Sequence, residues 1–255
     1  MNCCKTHLIR TLVLAGAAAS LAPVSRAAAQ DLPPARQVVD AYVQAIGGMD
    51  AISRAQHRHL KGEMAMPAAG MTMTMEMWQA RPNKMLMVMS IPGLGEVRQG
   101  FDGQTAWSSN PMQGPRIIEG DELQQTMRQA DFDANLRFEH LFPTLETVER
   151  TEMQGRPCYR VRMVAENGDE AFGCFDVESK LLLGMTSRVE SEMGTIESNV
   201  AFHDYKDFGG VKMPSRTVMN VMGQEMVMTV SEMDTSAVPD SVFALPAEIQ
   251  ALKQP

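Results

Sequence analysis

Aromatic residues are scarce in this 255-residue chain, which has two Trp, three Tyr and nine Phe. A core built mainly on packed rings is therefore excluded, and other side chains have to fill it. Long apolar runs are missing too. The longest, Thr11 to Val24, falls short of the roughly 20 residues that a membrane-spanning helix needs, so the chain is not expected to be an integral membrane protein. G-x-S-x-G, H-E-x-x-H, a phosphate-binding loop and C-x-x-C are all absent. Their absence removes the nucleophile elbow, the zinc helix, the nucleotide cradle and the redox dithiol as readings. No cofactor is expected, and the chain is not read as an enzyme.

The N-terminus has the layout of an export signal. Lys5 and Arg10 precede the apolar run, and the segment ends in SRAAAQ, which places cleavage after Ala29. Cys3 and Cys4 stand in front of the run, so no lipidation box follows it. Residues 1–29 are expected to be removed, residues 30–255 to form a single domain, and the mature chain to be periplasmic. Losing Lys5, Arg10 and Arg26 leaves 20 basic against 31 acidic residues, a net charge of −11. Such a surface repels nucleic acid and anionic membrane. Only Cys158 and Cys174 remain, flanking a turn at Glu166-Asn167-Gly168-Asp169. Pairing across that turn sets Cys158 opposite Asp176 and Cys174 opposite Arg160. The two cysteines become diagonal neighbours, roughly 7–8 Å apart, whereas a disulfide wants Cβ atoms about 3.8 Å apart. A bulge would close the gap, so a bridge and two free thiols both stay open.

What the chain does have is methionine, 23 residues of it. After a helical stripe over 34–47 (Val38, Val39, Tyr42, Val43, Ile46), stopped by Gly47-Gly48, and a short helix in MDAISRA, the apolar period switches to two. A four-residue loop, Pro67 to Gly70, sets Met66 opposite Met71, Met64 opposite Met73 and Leu60 opposite Met77. A turn at Arg81-Pro82-Asn83 then pairs Met77 with Met87 and Met75 with Met89. Opposed residues of an antiparallel pair share a face. One face of three strands therefore carries Leu60 and nine methionines: Met64, Met66, Met71, Met73, Met75, Met77, Met85, Met87 and Met89. The other carries Lys61, Glu63, Thr72, Thr74, Glu76, Trp78 and Lys84.

Later hairpins follow the same logic. GFDGQTAW turns on Asp102-Gly103. A turn through Ser191 to Gly194 pairs Val189 with Ile196 and Met185 with Val200, and a turn on Gly223-Gln224 pairs Met219 with Met228. GDELQQTMRQADF (120–132) reads as a helix and LRFEHLFP (136–143) as a link. About ten to eleven strands with few helices imply one strongly curved antiparallel sheet, mainly β with some α. Helices 34–47 and 120–132 would cover its apolar concave face.

This order of elements resembles the periplasmic lipoprotein-carrier superfamily, the LolA/LolB-like outer-membrane lipoprotein-sorting proteins and their related sensor domains. The stretches AIGGMDAI, GFDGQTAW, GRPCYRV, CFDVESKLLLG, YKDFGGVKMPSRT and SVFALP look like those of its exported members. The resemblance implies an unclosed β-barrel of about eleven strands whose helices plug an apolar cavity. It also implies a lipid or a lipoprotein's acyl chains as ligand, with an envelope protein as a further partner. The carriers use a basic residue at the cavity mouth for transfer, and no equivalent can be placed in this sequence.

Three uses compete for the methionines. Thioethers suit Cu(I), which makes a Met-based Cu(I) protein of the periplasm the alternative function, with Met73, Met75 and Met87 as ligands. Same-face neighbours along a strand are about 6.6–6.8 Å apart, however, which spreads sulfur instead of focusing it. Simple core filling is the second use, although Met specifies a unique packing poorly. The third is an adaptable wall for alkyl chains, lined by Leu60 and the nine methionines with Trp107 and Phe175, and with Phe101 and Phe172 as further candidates. His57-x-His59 reads as a solvated strand end, and His140, His203, Asp102, Glu225 and Glu232 as surface or turn residues.

Overall fold

A computed structural model describes residues 32–133, 141–166, 168–191 and 194–253. The export signal and its cleavage site lie outside the described residues, as does most of the 136–143 link together with His140. From Leu32 onward the chain makes one compact unit.

Helix α1 (Ala35–Ala45) buries Val38 and Val39, two members of the stripe. It ends where Gly47 adopts φ +125, and a Cβ there would come 2.3 Å from the carbonyl oxygen of Gly210. Only glycine meets both demands. Helix α2 (Gly48–Arg54) follows and buries Ile52. Helix α3 (Gly120–Ala130) buries Thr126 and Ala130, and a short helix α4 (Ala247–Leu252) lies near the C-terminus.

Between α2 and α4 run thirteen strands: β1 (His57–Met66), β2 (Met71–Ala80), β3 (Lys84–Ile91), β4 (Gly95–Phe101), β5 (Ala106–Asn110), β6 (Gly114–Ile117), β7 (Thr144–Met153), β8 (Arg156–Val164), β9 (Glu170–Asp176), β10 (Leu182–Ser191), β11 (Gly194–Phe208), β12 (Val211–Val221) and β13 (Gln224–Asp234). They form one sheet in the order β6-β5-β4-β3-β2-β1-β13-β12-β11-β10-β9-β8-β7. The count exceeds the expected eleven because short segments such as four-residue β6 also join the ladder. All pairs are antiparallel, and β6 and β7 remain as edges, so the sheet is not closed into a barrel.

The first strand meets the last in the middle of the sheet. β1 bonds to β2 on one side and β13 on the other, with a bulge at Lys61/Gly62. Met66–Met71, Met64–Met73, Leu60–Met77, Met77–Met87 and Met75–Met89 pair as loop parity predicts. The last hairpin differs from expectation: Met219 faces Met226, and Met228 faces Thr217. Its turn is Met222-Gly223, with φ 51 and 78. Two successive left-handed residues are what a two-residue hairpin turn of matching twist requires.

We call the face that receives α1 and α3 the inner face. Under α1 lie Val161, Met163, Ala171, Phe175 and Leu182. Under α3 lie Met85, Phe101, Ala106 and Ile118. The outer face is covered at one end by the C-terminal segment, which packs Val238, Val242, Phe243, Leu245 and Ile249 onto Ala80, Leu86, Trp107, Trp78, Val88 and Ile117. Cys158 and Cys174 are joined in a disulfide with Cα atoms 5.5 Å apart. Their strands pair as expected, Cys158 with Asp176 and Arg160 with Cys174. Sheet twist shortens one of the two diagonals, and the neighbouring β9–β10 pair is bulged at Leu182/Gly184.

Candidate functional site

The nine methionines of β1–β3 share the inner face with Leu60, and β13 extends the set. Met64 pairs with Met73 on β2 and with Met228 on β13. Met85 faces both Gln79 and Phe101, and Met89 faces Val97. Burial is graded along this wall. Met73 and Met75 are 5% exposed and Met85 2%, whereas Met64, Met66, Met77, Met87 and Met89 are half-buried and Met71, at the strand start, is exposed. Leu60, Met75 and Val230 form the centre of the wall, with Met77, Met87, Met89, Met228 and Phe208 packed around them. Period-two methionine in QEMVMTV matched that of MTMTMEMW and marked Met226 and Met228 as strand-face residues. What no local pattern revealed was that β13 would lie beside β1.

The aromatic candidates divide between the faces. Phe175 lies on the inner face beneath α1, where its ring meets that of Tyr42 edge-on with centroids 5.6 Å apart. Phe101 is also inner, beneath α3. Trp107 is not part of the wall. It pairs with Gly100 and Ile117 on the outer face and is covered by the C-terminal segment. Phe172 is also outer: it opposes Arg162 and Thr186 and lies under the Arg160 guanidinium, 4.4 Å from its ring centre. The reason is parity. The Asp102–Thr105 loop pairs Phe101 with Ala106, so Trp107 falls one residue out of phase with the methionines.

Polar ties hold the two helices. Burial pushes the Tyr42 hydroxyl up to about 12 against a hydrogen bond with Tyr205, which pulls it down. Tyr205 in turn donates to the carbonyl of Leu182 at 2.9 Å. At the other end Gln79 Nε2 donates to the Gln129 carbonyl at 3.2 Å. Gln99 Nε2 donates to Thr126 Oγ1 at 2.9 Å. Just past α3, Phe132 is buried beneath two guanidinium groups, those of Arg58 (3.9 Å) and Arg81 (4.7 Å). Arg81 also pairs with Asp133 and donates to the carbonyls of Ala55 (2.8 Å) and Ile52 (3.3 Å). Burial depresses the pKa of Arg58, with Asp133 opposing the shift.

Recesses border the sheet, one of them beside the methionine wall. One of about 380 Å3 at the hairpin tips is bordered by Ile91, Leu94, Val97, Pro111 and Met112. One of about 200 Å3 lies beside α1, between Val38, Tyr159 and Phe175. A third, about 520 Å3, is on the outer face around Arg160, Glu170 and Arg188. Its cations are already matched, Arg160 by Glu149 at 3.0 Å and Arg188 by Glu197. The pairing of these two arginines weighs against an anionic guest.

His59 belongs to the outer face, stacked on Trp78 with ring centres 4.6 Å apart and 3.1 Å from a Glu76 carboxylate oxygen. Among the described residues no three His, Cys, Asp or Glu side chains converge to hold a metal ion. The suggested sulfur set does not converge by pairing either. Met73 opposes Met64, Met75 opposes Met89, and Met87 opposes Met77.

The chain folds as one unclosed antiparallel sheet with helices on its inner face. More particularly, this is the LolA-like fold of the lipoprotein-sorting proteins. A DUF1329 family protein from Desulfovibrio piger matches with a TM-score of 0.60 at 12% identity, over 84% of this chain and 98% of that one. A LolA superfamily protein from Nitrosomonas europaea matches at 0.55 and 12%, over 84% and 99%. A putative outer membrane lipoprotein-sorting protein domain from Vibrio parahaemolyticus matches at 0.52 and 10%, over 81% and 94%. No family model and no curated protein matches the sequence.

Proposed function

We propose that this chain is exported, loses residues 1–29, and acts in the periplasm as a non-enzymatic binding protein for a hydrophobic ligand. The ligand class is a lipid or the acyl chains of a lipoprotein, and the role is that of a carrier or envelope sensor, with an envelope protein as partner. The observation that carries this reading is the inner wall: nine methionines on three adjacent strands, five of them half-buried, between two separately tied helices. Unbranched thioethers swing about three bonds and repack around differently shaped alkyl groups at little cost. Met64, Met66, Met77, Met87 and Met89 are only half-buried, so a guest enters by displacing these side chains and lifting α1 or α3. The LolA-like fold supports the reading.

The test is a titration of a fluorescent fatty acid into protein purified by a delipidating route. Saturable binding is expected, and Met73→Asp or Met87→Asp should abolish it while circular dichroism stays native. Absence of saturable binding by the wild type, or undiminished binding by both aspartate variants, overturns the reading. Native mass spectrometry of freshly purified protein should show an apolar guest that delipidation removes.

A further inference from the structure

We propose that Met73, Met64 and Met228 form a thioether site for one soft monovalent cation, Cu(I) or Ag(I). The geometry points to it through strand order. β2, β1 and β13 are adjacent, and the three methionines are direct cross-strand partners on one face, with Met64 in the middle. Spacing along a strand separates same-face sulfurs by about 6.6–6.8 Å of backbone. Spacing across strands brings directly opposed Cβ atoms to about 4.5–5.5 Å. Three sulfurs each bonded at about 2.3 Å, a usual metal–sulfur distance, lie about 4 Å from one another. Met73 and Met228 lie two strands apart, about 9.4–9.8 Å, so both have to lean inward over Met64. Methionine's three rotatable bonds supply that reach, which a file along one strand, with its wider steps, does not allow.

The surroundings select the ion. Inner-face positions next to the row include Gly62, Met66, Met71, Met75, Thr217, Met226 and Val230. None carries a carboxylate, imidazole or ammonium group. Hard divalent ions need charged or oxygen-rich ligands, whereas neutral thioethers favour Cu(I) over Zn(II). A monovalent ion also costs less to desolvate in an apolar wall than a divalent one. Gly62 is closed off by the Thr229 backbone, 2.3 Å from where its Cβ would be, but Met64 and Met228 are only half-buried. A cation thus has an approach from the open part of the wall. The Met66–Met71 pair, one step toward the hairpin tip, supplies further sulfurs along that approach. The site does not require the apolar-ligand reading, although it shares Met64 and Met73 with that wall, so an alkyl guest that displaces these side chains would compete with the cation.

The experiment is competition of the mature protein against a Cu(I) chelator under anaerobic conditions, with Ag(I) as the redox-inert counterpart. Stoichiometry is read by native mass spectrometry and the ligand shell by X-ray absorption. The wild type should retain one ion at an affinity well above that of free methionine, with a sulfur-only shell of three. Met64→Leu and, separately, Met228→Leu should each weaken retention at least tenfold with unchanged circular dichroism, since leucine keeps the volume and removes the sulfur. Met49→Leu, on the surface of α2, should leave retention as it was. Retention no better than free methionine, a nitrogen or oxygen shell, or full affinity in both leucine variants overturns the inference. Wild-type protein that binds the fatty acid but no cation loses only this inference, and the reverse result removes only the apolar-ligand reading.

Discussion

The Trp107 indole lies directly over the α-carbon of Gly100, so a Cβ on Gly100 would sit 2.5 Å from the indole Nε1. The two residues are direct partners on β4 and β5. Gly100→Ala should force the ring out of place and lower stability by about 1–3 kcal/mol, read from urea midpoints. Trp107 emission should shift with it, because the ring is 3% exposed in its native position.

The C-terminal segment should behave as part of the fold and not as a tail. Phe243 is 4% exposed and packs in the cluster that contains Trp107 and Leu86. Its removal as Phe243→Ala is expected to cost about 3–5 kcal/mol. Lys84 reaches Asp240 at 2.9 Å and Lys253 donates to Thr105 Oγ1 at 2.9 Å, but Lys84→Ala should cost under about 1 kcal/mol, as exposed ion pairs do. Chemical denaturation of the two variants side by side checks the contrast.

Replacing Cys158 and Cys174 together by alanine opens a loop of sequence separation 16. Chain entropy alone assigns such a loop about 3 kcal/mol. A loss near that size is expected in thermal or urea unfolding, with fatty-acid binding retained at low temperature, because the bridge is not in the methionine wall.

Asp176 should make the protein acid-sensitive. Burial pushes its carboxyl up, but the amides of Ser179 (2.6 Å) and Glu178 (3.0 Å), the Ser179 hydroxyl (2.9 Å) and the Arg156 guanidinium (2.8 Å) outweigh burial and hold it below its ordinary value. A carboxyl depressed in the folded state adds stability that is complete above the unfolded-state value, about 3.9. That stability is lost as pH falls through the lower folded-state value. Denaturation midpoints should fall below about pH 4, and Asp176→Asn should be less stable at neutral pH with a flatter acid limb.

Much of the sheet could be read locally, because loop parity and period-two methionines fix hairpin register wherever one face is apolar. Met64–Met73 and Met75–Met89 are of this kind. Trp107 escaped that logic: its face follows from the length of the Asp102–Thr105 turn and not from its own apolarity. The covering of the outer face also escaped, since Val238, Phe243 and Ile249 have no periodic partner in sequence. The Met228–Met64 neighbourhood depends on a contact between opposite ends of the chain, which no hairpin rule supplies.

That contact has a kinetic consequence. Because His59 pairs with Asp234 and Leu60 with Met233, the centre of the sheet is completed by the last strand to be made, while the edges can zip up as successive hairpins. Formation of the seam must close a loop spanning roughly three-quarters of the residues from Leu32 onward, which places it among the slowest steps. A chain made N-terminus first therefore remains as two unjoined half-sheets until β13 arrives.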